Sequence, residues 1–239
     1  MSSERARGLV LQTRPLTETS LIVNWLTADW GRVSTVAKGA LRSRSPFRGK
    51  LDLFYLADFT FQRSRRSDLH TLTEVALTGS HPTLRTDWEK LRVACYAAHL
   101  VSQATERETP LPGVYDLFVA LLRGLEQGPV SRELVLRFEV NLLVDLGLAP
   151  DPASTRLGVA ARELLGAFIS LALDAPSPPA IDPEPFAELD HFLGTFLEHH
   201  LGRVPPERAR IAVPTPTEGR AGGRSLRSSS ALRAEPGRV

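Results

Sequence analysis

The hydrophobic pattern changes its period once along this chain. Up to about residue 80, short runs rich in Val, Ile, Leu and Thr are bounded by turn residues, which is how strands read. Gly8–Arg14 is the first run, closed by Pro15, and Ser20–Ala28 is the second. Asp29-Trp30-Gly31 makes a tight turn into Val33–Ala37. The segment Lys38–Lys50 keeps no strand period and is a loop. Phe54–Arg63 and Leu69–Gly79 complete the set, joined by Ser64-Arg65-Arg66-Ser67. Five short strands with a longer connection between the third and fourth predict an OB-fold barrel, a five-stranded SH3-like barrel being the alternative.

Near Pro82 the period lengthens to about 3.6 residues. Thr86-Asp87-Trp88-Glu89 reads as a capping box opening a helix to about Arg107, and Pro110 and Pro112 break it. Val114–Gln127 follows, with Leu117, Phe118, Leu121, Leu122 and Leu125 on one face. Ser131 caps a third helix whose face is Leu134, Phe138, Leu142 and Leu146, stopped by Gly147. A fourth spans roughly Leu157–Leu173, and a fifth starts at about Pro185 and ends at Gly202. The reading is thus a barrel over 1–80, an all-helical domain over 81–213, and a disordered basic tail over 214–239.

Net charge is +2, which alone points to no partner, but its distribution does. Residues 1–80 hold 12 Lys/Arg against 7 Asp/Glu, residues 81–213 hold 12 against 18, and the tail holds 5 against 2. Such asymmetry suggests that the N-terminal part meets a polyanion. Lys38, Arg42, Arg44, Arg48 and Lys50 fall within 13 residues that contain no acid, with Phe47 among them. Arg63, Arg65 and Arg66 lie between strands four and five, and Arg14 closes the first strand. Mobile cations in one groove release counterions together when they meet repeating phosphates. The plainer alternative is a solvated loop, and Phe54, Phe59 and Phe61 suit a core better than a stacking platform.

Catalytic chemistry finds no support. The sequence has no Walker-type phosphate loop, no Gly-x-Gly-x-x-Gly after a strand and no His-Glu-x-x-His, so an enzyme is not expected. His70, His81, His99, His191, His199 and His200 read as solvated, and Glu106/Glu108 and Glu133/Glu139 as solvated helix faces. Cys95 is the only cysteine, expected to be a buried thiol; neither a disulfide nor a cysteine zinc site follows, and no cofactor is implied. No apolar run approaches a membrane span, and the N-terminus lacks a signal peptide, so a cytoplasmic protein is expected.

Arg14-Pro15-Leu16-Thr17-Glu18-Thr19-Ser20-Leu21, Gly31-Arg32-Val33 and Ala37-Lys38-Gly39-Ala40 resemble the N-terminal half of RecO proteins. Leu136-Arg137-Phe138-Glu139, Leu142-Leu143 and Leu146-Gly147-Leu148-Ala149-Pro150 resemble the family's central helix and its stop. The resemblance implies an N-terminal OB-fold, a helical C-terminal domain and no catalysis. It further implies binding of single- and double-stranded DNA, strand annealing, contact with the tail of single-strand-binding protein (SSB), and joining RecR to load RecA, in a nucleoid-associated protein. Lys38, Arg42, Arg44 and Arg48 match the family's basic stretch, while Arg137, with Arg132, is the choice for a carboxylate of the SSB tail. Many relatives carry a four-cysteine zinc module after Pro150; Asp151–Arg162 has no cysteine, so no zinc module is expected here. A protein-binding scaffold and an RNA-binding OB protein remain the alternatives.

Overall fold

The structure, a computed structural model, describes residues 2–176 and 181–211; the expected basic tail lies outside them. Five strands come first: β1 (Ser3–Pro15), β2 (Leu21–Thr27), β3 (Gly31–Ala37), β4 (Leu56–Gln62) and β5 (Leu69–Gly79). They close into a barrel in the order β1-β2-β3-β5-β4, with β3 and β5 parallel and the other pairs antiparallel. That is the OB-fold arrangement, and it removes the SH3-like alternative. β1 starts five residues earlier than its hydrophobic pattern does. Ser3–Arg7 is mostly polar, yet it pairs with β4 from Ser3↔Gln62 onward, with Ala6 turned into the core.

The barrel interior follows the two-residue period. Val10, Val23, Trp25, Val33, Phe59 and Phe61 fill it, Trp25 stacking on Phe59 with ring centroids 4.1 Å apart. The Trp25 indole donates to Thr35 Oγ1 at 2.9 Å, so the polar edge of a buried ring is satisfied. Leu9, Leu11 and Leu26 take the opposite parity and face the helices. This explains why Gly8–Leu11 is buried without a break: one parity fills the barrel and the other its cover.

The helices are α1 (Thr83–Thr86), α2 (Trp88–Ala104), α3 (Pro112–Gln127), α4 (Arg132–Asp145), α5 (Val159–Ser170), α6 (Pro183–Leu201) and α7 (Glu207–Arg210). The expected capping box moves by one residue. Thr86 ends α1, and Asp87 caps α2, accepting from the backbone N–H of Glu89 (3.0 Å) and Lys90 (3.2 Å). Ser131 caps α4 as expected, through Leu134 N–H at 3.1 Å, and Gly147 in the left-handed region (φ 69°) ends it.

Barrel and helices share one core, in which Leu9, Leu11, Leu26 and Phe54 pack with Ala94, Tyr96, Phe118 and Leu121. Phe54 stacks on Phe118 at 6.1 Å while its own backbone is left-handed (φ 62°). A second helical core joins α4, α5 and α6 through Leu136, Val140, Leu165, Phe168, Leu189 and Leu193. Among the described residues no helix is long and apolar enough to cross a membrane.

Candidate nucleic-acid interface

Topology gives the barrel two poles. At one, the loop pole, lie the β1–β2 connection and the long β3–β4 connection; at the other, the hairpin pole, lie the β2–β3 and β4–β5 turns. Of the nine expected cations, Arg14, Lys38, Arg42, Arg44, Arg48 and Lys50 belong to the first, and Arg63, Arg65 and Arg66 to the second. A seven-residue strand such as β3 separates the two by about 20 Å. They are therefore two groups, not one groove.

The loop-pole connection is a chain of tight turns, with Ala40 N–H to Ala37 O (3.3 Å), Ser45 N–H to Arg42 O (3.1 Å) and Lys50 N–H to Phe47 O (3.1 Å). Ala40 and Phe47 insert into the barrel core, so Phe47 is an anchor rather than an exposed ring. Leu41 N–H reaches Thr19 O at 3.0 Å, tying this loop to the β1–β2 turn beside Arg14. With Ala40 and Phe47 turned inward, Lys38, Arg42, Arg44 and Arg48 are left exposed. Arg48 Nη1 donates to Ser43 O at 3.1 Å, and Lys50 Nζ to Val75 O at 3.2 Å. Among the described residues none of these six cations has a carboxylate partner. Of the acids at this pole, Asp52 is engaged by Arg85 at 2.9 Å, with Arg85 also lying over the Tyr55 ring, and Glu18 is exposed on the β1–β2 turn.

The hairpin pole differs. Arg63 lies over Trp30, 5.5 Å from its centroid, and donates to Glu108 Oε2 at 2.8 Å. Glu108 sits between α2 and α3 with left-handed backbone (φ 51°), so a helical-side acid neutralises this arginine. Its other oxygen is 3.1 Å from His70 Nε2. Ser64 N–H donates to His70 Nδ1 at 3.3 Å, which puts the ring proton on Nε2, facing Glu108. His70 is buried and stacked on Phe61, and His81 is buried 3.1 Å from Glu126, so these two are not the solvated histidines expected. Arg65 and Arg66 remain exposed on the turn.

In the helical half, Glu139 corrects the expectation of a solvated face. It is fully buried, accepting from Tyr96 Oη (2.7 Å) and from Arg208 Nε (2.9 Å) and Nη2 (2.8 Å). Burial, reinforced by this neighbouring carboxylate, pushes the Tyr96 hydroxyl well above its usual range. Arg132 makes two hydrogen bonds to Asp190, 2.9 and 2.7 Å long, and a third to Arg208 O. Burial works to raise the Asp190 pKa, but Arg132 and Arg208 outweigh it and hold it below the usual carboxylate value. Arg137 is buried, donating to Ala172 O (2.7 Å) and Ala175 O (2.8 Å) with Glu133 3.5 Å away. Arg132 lines an open groove of about 650 Å³ with Phe186, His191 and Thr195; Arg137 does not reach it.

Both halves match recombination proteins. The model for Recombination protein O N terminal matches residues 1–81, and that for Recombination protein O C terminal matches residues 85–170. A DNA repair protein RecO of Anaeromyxobacter dehalogenans (strain 2CP-C) is 30% identical over 237 positions, covering 85% of this chain and 93% of its own. This chain belongs to the RecO family. Another RecO, from Idiomarina loihiensis, is 35% identical over 147 positions, or 61% of each chain. The RecO of Rhodopirellula baltica is 33% identical over 157 positions, 65% of this chain and 57% of that one. The family's role is in DNA repair and recombination.

The RecO-like segments now have structural reasons. Arg14–Leu21 is the β1–β2 connection, where Leu16 N–H meets Ser20 O (2.9 Å) and Ser20 N–H meets Thr17 Oγ1 (3.1 Å). Leu136–Glu139 carries two buried charges whose partners lie far along the chain. Within Asp151–Arg162, Asp151 caps a short 3₁₀ turn (Pro152–Ser154) and Leu157 enters the core. Sequence reading missed the Glu139–Arg208 pair and the Arg63–Glu108–His70 cluster, since no local spacing signals contacts 69 or 45 residues apart.

Proposed function

We propose that this chain is a non-catalytic, DNA-binding recombination mediator whose loop pole holds the phosphate backbone. The observation that carries the reading is six cations on one tethered pole, none with a carboxylate partner among the described residues. Arg14, Lys38, Arg42, Arg44, Arg48 and Lys50 form the principal site, with Arg65 and Arg66 a second contact at the far pole. The protein binds single and double strands, anneals complementary strands, and with RecR helps load RecA onto SSB-coated DNA. The SSB tail would dock in the Arg132 groove, its carboxylate competing with Asp190 for that guanidinium. Arg137, turned to Ala172 and Ala175, ties α4 to the segment after α5 instead.

Salt dependence tests the core of this reading. If about six cations meet single-stranded DNA, log affinity falls against log salt with a slope near −4. Changing Lys38, Arg42 and Arg44 together to Glu should weaken binding at least tenfold and flatten that slope. Affinity indifferent to salt and to the triple variant overturns the proposal. Ribo- and deoxyribo-oligomers of one sequence separate an RNA-binding role, and annealing of SSB-coated strands reports the mediator step.

A further inference from the structure

The loop pole contains a cleft of about 450 Å³, within the size range of small-molecule sites. Among its lining residues Phe47 is buried and Leu21 and Leu51 are half-buried, which makes them its floor, while Leu41, Arg42 and Arg48 are exposed at its edge. Leu41 is the anomaly. The adjacent Ala40 and nearby Phe47 are buried, yet Leu41 is 52% exposed although its backbone is pinned to Thr19. Asp52 also lines the cleft, but its carboxylate is turned to Arg85, which leaves the rim cationic. An apolar recess edged by arginines complements a ligand with a flat apolar body and anionic flanks.

We propose that this cleft receives one unpaired base of single-stranded DNA. The floor and Leu41 cover the ring, while Arg42 and Arg48 take the flanking phosphates. The inference rests on the nucleic-acid reading above and adds to it a preference for single strands. A paired, stacked base cannot enter a recess without leaving its helix, whereas an unstacked one enters freely. Apolar cover reads the ring face rather than its hydrogen-bonding edge, so base identity matters little.

The test uses the full chain, an oligo-dT strand and a duplex of equal length. Leu41→Ala should lower affinity for the single strand about fivefold, because the shortened side chain no longer shields the ring from water. It should leave duplex affinity and the salt slope unchanged, because no charge is removed; Leu41→Met should restore binding. Arg42→Ala should instead weaken both ligands and reduce the single-strand slope by about 0.7. A 2-aminopurine placed in the strand should change fluorescence on binding to the native chain and not to Leu41→Ala. Equal losses on both ligands, or no loss on the single strand, defeat the base cleft while leaving the phosphate contacts standing. Salt-independent binding by the native chain defeats both.

Discussion

A carboxylate sealed from water survives only if its charge is answered at close range, and Glu139 is answered three times, by Tyr96 and twice by Arg208. Removing the negative charge leaves the Arg208 guanidinium, itself largely buried, without its closest counter-ion. Glu139→Gln should cost about 3 kcal/mol, read as a melting temperature lower by roughly 6–12 °C. A shift under about 2 °C would mean that water or Asp190 takes over the charge. At this scale the sequence is least legible. Leu136-Arg137-Phe138-Glu139 shows two charges on a helix, and a solvated face is the sensible reading until Arg208 is placed beside them. The same blindness covered Arg63, one of the expected contacts, because Glu108 reaches it only after α2 has run the length of the barrel.

Elements were far more legible, because strand and helix periods are local. All five strands and the longer helices fall where the hydrophobic pattern puts them, and departures concern ends. β1 gains a polar stretch that only its pairing with β4 supports, and α2 takes its cap from Asp87 once α1 has consumed Thr86. The β2–β3 turn shows what pattern conveys and what it hides. Asp29-Trp30-Gly31 announced a turn, but Gly31 is also needed for close approach: at φ 63° a Cβ there would lie 1.9 Å from the Thr109 carbonyl oxygen. Gly31→Ala therefore meets left-handed strain of about 1–2 kcal/mol plus a backbone clash with the α2–α3 connection. The expected result is a lower urea midpoint with an unchanged m-value. An unmoved midpoint would show that the Thr109 segment yields freely.

On the scale of the molecule, the barrel and the first helices are not beads on a string. Leu9, Leu11, Leu26 and Phe54 belong to the core that α2 and α3 also fill, so opening the interface exposes both sides. Heating should give one transition, with tryptophan fluorescence, which reports exposure of the buried Trp25 in the barrel, and helical circular dichroism changing together. Midpoints several degrees apart would show the two halves melting separately. Charge segregation between the halves was visible from composition; its division between two poles was not, because strand order decides which loops meet. The β3–β4 connection is pinned at Thr19, at Val75 and through Phe54 N–H to Val10 O. Its guanidinium groups are presented by a scaffold that is already shaped before any ligand arrives. The entropy of arranging the segment was spent when the chain folded, so a ligand that meets it finds its contacts in place, and association can run fast and reversibly.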